Sequence, residues 1–215
     1  MKNFIFLILL VLVASCSDVS QDTPINASQG DVGPLDPSLF ANETEEEASY
    51  WSIENLVESL ENDTMDQDYP ELSMKDDTMI SGEGTVRRVV KIIAGDTPNE
   101  LVVSYDGNKP FQLMYGSRGK WRTKHSIYIG SPVEALNKVN GKPIKFGGFG
   151  WEYSGLVRFE GGAIDASSYD MFIAPDKKNV SEDAAFEFLG SDFYRSDAPD
   201  VEKLHLYVSS ITYKF

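Results

Sequence analysis

From Thr78 to the C-terminus the chain is cut into short runs by turn residues, and this punctuation restricts the fold more than any other feature. The runs TVRRVVKIIAG, ELVVSYDG, FQLMYG, HSIYIG, GLVRFEGG, YDMFIA and KLHLYVSSITYKF are rich in β-branched and aromatic residues. Most close on Gly, Asn, Asp or Pro, the pattern of strands joined by turns. YDGNKP, residues 105–110, reads as a hairpin turn. Two helices interrupt the strands. The first covers 132–139 and opens with Ser131-Pro132-Val133-Glu134, the spacing of a capping box with Pro at the first helical position. Val133, Leu136 and Val139 form its apolar stripe, Asn140-Gly141 suits a left-handed helix end, and Pro143 prevents continuation. The second covers about 182–189, with Ser181 as N-cap and Gly190 as stop. A segment of about 138 residues is long enough to bury about two-thirds of its unfolded surface. The expectation is one α+β domain over 78–215, built on a mainly antiparallel β-sheet with two short helices.

Charge divides the chain differently. Residues 17–77 hold seventeen Asp and Glu against one basic residue, Lys75, whereas 78–215 hold seventeen acids and seventeen bases. The formal charge of −15 therefore belongs to the leader, and the domain is neutral. The leader would be repelled by nucleic acid and anionic surfaces, and no nucleic-acid partner is expected. Residues 16–48 are rich in Asp, Glu, Ser, Pro and Gly and poor in large apolar side chains, so they read as a disordered acidic tether. Residues 49–77 read as a short amphipathic helix followed by an acidic loop. Ile53, Leu56, Val57 and Leu60 fall on one stripe of that helix. Asp63, Asp66 and Asp68 lack the spacing and the glycine of a calcium loop. Asp63-Thr64-Met65 and Asp77-Thr78-Met79 resemble an O-glycosylation triplet of some envelope proteins, a weak signal at three residues.

The stretch NGKPIKFGGFGWEYSG, residues 140–155, holds five of the seventeen glycines. Phe149, Trp151 and Tyr153 alternate with Gly148, Gly150, Glu152 and Ser154, which predicts a strand with one aromatic face and one small, polar face. Two readings stay open. In one the aromatics are core and the glycines let the sheet bend. In the other the glycine face, with Glu152, Trp151 and Tyr153, floors a ligand groove for a peptide or glycan, and Trp121 lines its rim.

The first eighteen residues, MKNFIFLILLVLVASCSD, place Lys2 before an apolar run over 4–13. About ten apolar residues are too few to span a bilayer, which needs roughly 20, but suit a signal peptide over 1–15. Val13-Ala14-Ser15-Cys16 resembles the bacterial lipobox, whose cysteine becomes the acylated N-terminus. Cys16 is the chain's single cysteine, so it has no disulfide partner within the chain. The resemblance implies a lipid on Cys16 that tethers the protein to a membrane without spanning it. With Ser17 rather than Asp after the cysteine, the expected location is the outer membrane, on its periplasmic face or at the cell surface.

The run from Trp121 to Gly155 is similar to a signature of uncharacterised bacterial envelope proteins, in which an IGTSLKELEKLNGKPF-like helix precedes a GFGWDYGG-like strand. The correspondence holds at Ile129-Gly130, Leu136, Asn140-Gly141-Lys142-Pro143, Gly148-Phe149-Gly150-Trp151 and Gly155. GEGT at 82–85 and SDFYRSDAP at 191–199 extend it. The resemblance implies an envelope domain and assigns it no chemistry.

No catalytic constellation is legible. Cys16 is consumed by lipid, no G-x-S-x-G elbow occurs, and Gly141-Lys142 is followed by Pro where a phosphate loop needs Ser or Thr. His125 and His205 lie on predicted strands 80 residues apart. Neither a metal site nor a cofactor is expected. The leading expectation is a lipid-anchored, non-catalytic binding or assembly module with an envelope protein or glycan as partner. The alternatives are a carboxylate-dependent glycan hydrolase, for which Glu152 with Asp165 is a candidate pair, and an inhibitor lipoprotein.

Overall fold

The computed structural model describes residues 34–35, 37–81 and 86–215. Cys16 and the predicted signal peptide lie outside these residues, as do 17–33 and 36 of the predicted tether.

The chain is α+β and mainly antiparallel. Strands β1 (Met74–Ser81), β2 (Val86–Ile93), β3 (Leu101–Asp106) and β4 (Lys109–Tyr115) follow one another in the main sheet. Next to β4 lies the C-terminal strand, which pairs on its other side with Tyr169–Ala174. Between these come a three-residue strand at Lys145–Gly147, a two-residue strand at Val157–Arg158 and another at Phe193–Arg195. In chain order the set from Lys145 onward is β5 (Lys145–Gly147), β6 (Val157–Arg158), β7 (Tyr169–Ala174), β8 (Phe193–Arg195) and β9 (Tyr207–Lys214). The six-stranded sheet runs β1-β2-β3-β4-β9-β7 and a three-stranded sheet runs β6-β5-β8. The YDGNKP hairpin forms as expected, with Asp106 opposite Lys109. The run HSIYIG forms no strand: Ser126 takes a left-handed φ of 59°, and the Thr123 hydroxyl accepts the N–H of Ile127.

One face of the main sheet carries Ile93, Leu101, Val103, Leu113, Tyr115, Met171 and Ile211, which occupy matching positions across paired strands. All are buried in one core cluster with Phe146 of the small sheet and with Val133 and Leu136 of a helix at Val133–Asn140.

The acidic segment before the sheet belongs to this core, which moves the expected boundary at Thr78. It folds into α1 (Glu45–Tyr50), α2 (Ile53–Glu61) and α3 (Met65–Asp68). The expected stripe of α2 buries Ile53, Leu56 and Val57, and α3 adds Met65. The end of the predicted tether is ordered too. Thr44 and Glu47 form a capping box at α1, and Leu35 donates its N–H to Gly130 O at 2.9 Å. Phe40 packs on Tyr128 with ring centroids 4.7 Å apart, and Glu43 accepts both Nη1 and Nη2 of Arg122. Three long-range anchors thus hold a stretch whose composition alone reads as disordered.

The helix at Val133–Asn140, α4, ends as its sequence predicts: Gly141 caps it at φ 75°. Its start differs. Pro132 is the N-cap residue and receives no side-chain bond, because the Ser131 hydroxyl is turned back to accept Tyr128 N–H at 3.0 Å. The second predicted helix is shorter than expected, α5 (Glu182–Phe186), with Ser181 Oγ accepting Ala184 N–H. Buried Asn140 holds α4 to the loop before β7. Its Nδ2 donates to Lys142 O and Phe159 O, and its Oδ1 accepts Ile164 N–H. Asn140→Ala leaves these backbone groups unpaired and is expected to lower stability by about 2 kcal/mol. The check is the midpoint of a urea transition; a loss below about 0.5 kcal/mol would mean that water replaces the amide without penalty.

Candidate functional site

The alternation at 149–154 does not make a strand. After β5 the chain enters a tight turn that returns to β6, and its alternate aromatics part company. Phe149 points inward and stacks on Phe146, centroids 5.7 Å apart at 30°, and Phe146 in turn packs against Phe188 and Tyr194. Trp151 and Tyr153 point outward and are 64% and 52% exposed, with exposed Glu152 between them. A period of two is obeyed by any segment that alternates between a core and solvent, and here a turn does so.

Backbone bonds fix this turn at both ends and across its middle. Gly148 donates to Asp192 O at 2.8 Å, Phe149 to Phe188 O at 2.8 Å, and Gly190 to Phe149 O at 3.1 Å. Within the turn, Ser154 donates to Trp151 O and Leu156 to Tyr153 O. Gly155 donates to Gly147 O and accepts from Ile173 N–H, both at 2.9 Å, which binds the turn to β7. Gly155 has φ 74°, and a Cβ on it would sit 2.0 Å from Ile173 O. The glycine is there because the β7 backbone approaches this closely.

The end of α5 and the segment after it add two more solvent-facing apolar side chains, Phe186 and Leu189. Leu189 bridges Phe149 through the backbone, and its Cδ2 lies 3.6 Å from where Gly150 would carry a Cβ. Leu189 thus borders the backbone-bonded turn that displays Trp151 and Tyr153, and exposed Phe186 lies three residues before it in the chain. Such a surface offers ring faces and apolar area at little ordering cost, since the backbone that presents them is already held. Phe186 and Leu189 were not singled out from the sequence, which predicted only a helix over about 182–189; the helix in fact ends at Phe186.

Trp121 does not belong to this surface. It is fully buried, edge-on to Trp51 at 4.9 Å and near Tyr69 at 6.0 Å, and its Nε1 donates to Asn99 O at 2.8 Å. The predicted groove thus loses its rim residue, because the helices of the acidic segment cover it. Glu152 and Asp165 are carried by segments tied to opposite ends of β7. The turn bearing Glu152 is tied to Ile173 near the end of β7, whereas Asp165 sits just before its start and Lys214 bonds to Ser168 there. Five residues of strand separate these ties by roughly 17 Å along β7. Asp165 accepts the Ser167 hydroxyl and N–H and the Ser168 hydroxyl, and these bonds hold its carboxyl below the usual range. A carboxylate so held suits an acceptor better than a proton donor. His125 lies in a turn and His205 closes a short 3₁₀ turn at Val201–Leu204, so neither is on a strand.

A concavity of about 550 Å³ lies among α1, α2 and α3, lined by Glu46, Tyr50, Glu58, Asn62, Asp68 and Tyr69 among others. Asp68 accepts the Thr64 and Ser59 hydroxyls, which lower its pKa. Among the described residues no three His, Cys, Asp or Glu side chains converge as metal ligands.

No protein-family model matches the sequence, and neither a curated protein nor a solved structure matches it.

Proposed function

We propose that the chain is a lipid-anchored cell-envelope protein that works as a non-catalytic binding or assembly module, with the turn at 150–155 as its docking surface. The observation that supports this is the display of Trp151 and Tyr153 to solvent on one backbone-bonded turn, with exposed Leu189 beside it. Contiguous exposed apolar area of this kind marks interaction sites, and Trp and Tyr are the residue types that dominate binding energy when they become buried. The lipobox-like Val13-Ala14-Ser15-Cys16 and the resemblance of residues 121–155 to envelope proteins support an envelope partner, a protein or a glycan.

The test is mild crosslinking of a tagged full-length chain in intact cells, with Cys16→Ser and the double variant Trp151→Ala, Tyr153→Ala beside it. A partner is expected in near-equal amount with the anchored chain. Its recovery should drop about tenfold or more in the double variant, as loss of two hot-spot rings predicts. Both rings face solvent, so stability should change by no more than about 0.5 kcal/mol. Equal recovery with the double variant would move the docking surface elsewhere. Absence of any partner with the anchored chain would sink the assembly reading.

A further inference from the structure

Among the described residues no strand pairs with the outer edge of β1, which begins the main sheet. Met74–Ser81 therefore offers a row of backbone N–H and C=O groups to solvent. The distal half of this strand also leaves the body of the sheet. β2 pairs with β3 only over 90–93, so 86–89 are paired to β1 alone. Exposed edges are normally guarded by charge. Here the guard covers one half: Lys75, Asp76 and Asp77 stand in the first half, and Thr78-Met79-Ile80-Ser81 carries none. Ile80 and Val89, on one face of this arm, are 53% and 56% exposed. Asp77 Oδ1 accepts the N–H of Thr78 at 2.7 Å, which marks that N–H as one turned from β2. In an antiparallel ladder the N–H groups of Asp76 and Ile80 then face outward with it.

The geometry points to a second copy of this chain as the occupant: two β1 edges pair antiparallel about Thr78 and join the two main sheets. Thr78 then faces Thr78 of the second copy, and the two exchange the outward N–H bonds. Asp77 faces Met79, Asp76 faces Ile80 and Lys75 faces Ser81, so the charged half of each edge lies against the uncharged half of the other. No like charges meet. Within one copy Met79 pairs with Arg88 and Ile80 with Arg87. The rows across the joint accordingly read Arg88, Met79, Asp77 on one face and Arg87, Ile80, Asp76 on the other. Each carboxylate comes within two strand spacings, roughly 10 Å, of an arginine of the other copy, a span that a long side chain crosses over Met79 or Ile80.

Neighbouring registers are worse. A shift of one residue in the pairing puts the core faces of the two sheets on opposite sides. A shift of two toward the N-terminus sets Asp77 against Asp77. A lipid surface fits less well than a strand, because the open N–H and C=O groups would enter it unpaired.

The experiment uses the full chain with Cys16→Ser, which removes the lipid, and adds Thr78→Lys or Thr78→Glu. Thr78 is exposed, so either side chain is compatible with the single-copy fold. At about 100 μM, where a Kd of about 10 μM gives mostly complex, the parent is expected to sediment as a dimer. Each single variant is expected to shift toward monomer, to about half of the chains or more, its affinity weakened about tenfold or more by like charges at the two-fold axis. An equimolar mixture of the Lys and Glu variants should dimerise again, a rescue that no folding defect produces. Thr78→Cys in the same background should close an intermolecular disulfide under mild oxidation, and Lys109→Cys on the β3–β4 hairpin should not. A parent that stays monomeric at this concentration, or a dimer indifferent to charge at position 78, overturns the proposal.

Discussion

Replacing Trp121 with alanine is expected to lower the unfolding free energy by about 4 kcal/mol, the usual cost of emptying a fully buried tryptophan site. Trp121 stands where α2 and its neighbours close over the main core, against Trp51 and Tyr69, with no solvent exposure. Truncation would leave a cavity lined by rings that cannot collapse into it, because Tyr50 and Trp51 are themselves packed in a T-shape with centroids 5.1 Å apart. It would also orphan Asn99 O, which the indole N–H now satisfies. Marginal stabilities of about 5–15 kcal/mol leave little room for such a loss. Trp121→Phe separates the two terms, since it keeps most of the ring volume and loses only the hydrogen bond. Urea unfolding followed by circular dichroism reads both. A loss under about 1 kcal/mol for the alanine variant would return Trp121 to the surface and revive it as a groove residue.

Gly155→Ala is expected to cost about 3 kcal/mol or more, against about 1 kcal/mol for Gly141→Ala. Both glycines have nearly the same left-handed conformation, φ 74° and 75°. Around Gly141 nothing lies within 4 Å of a built Cβ, so alanine there meets only the conformational penalty. At Gly155 the added methyl would meet Ile173 O at 2.0 Å, and that oxygen belongs to a paired strand that cannot retreat without breaking its ladder. The difference between the two variants isolates the cost of the close approach. It also tests what holds Trp151 and Tyr153 in place: displacing Gly155 should loosen the turn, seen as faster amide exchange over 150–155. Equal losses for the two variants would show that the turn does not depend on contact with β7.

Local signals were legible. The stripe Ile53, Leu56, Val57 follows helical spacing and is buried by it, and Ser181 caps α5 with its own hydroxyl. Asn140-Gly141 ends α4 because a left-handed residue is needed there and glycine takes it freely. The hairpin at Asp106–Lys109 and the placing of the last strand in the sheet interior follow from turn chemistry and β-branched content. Failures arose where a pattern had two physical realisations. Ser131 has the spacing of a cap, yet its hydroxyl found Tyr128 N–H first. Phe149, Trp151 and Tyr153 alternate as a strand would, yet a turn distributes them between core and solvent. The acid-rich stretch up to residue 48 reads as unable to bury enough, yet Phe40 and Glu43 find partners some 80 residues away in Tyr128 and Arg122.

By itself, then, the sequence determined the class of the fold. Short β-rich runs closed by turn residues leave a mainly antiparallel sheet with short helices as the compatible arrangement, since each element's boundary is set by residues within a few positions of it. Only the tertiary structure decided which aromatics serve the core and which face outward. Trp121 and Trp151 are the same residue in similar glycine-flanked, charged surroundings, but one lies beneath α2 and the other on a turn bound to β7. Exposure is a property of what packs above a side chain, and those neighbours come from segments that local pattern does not join.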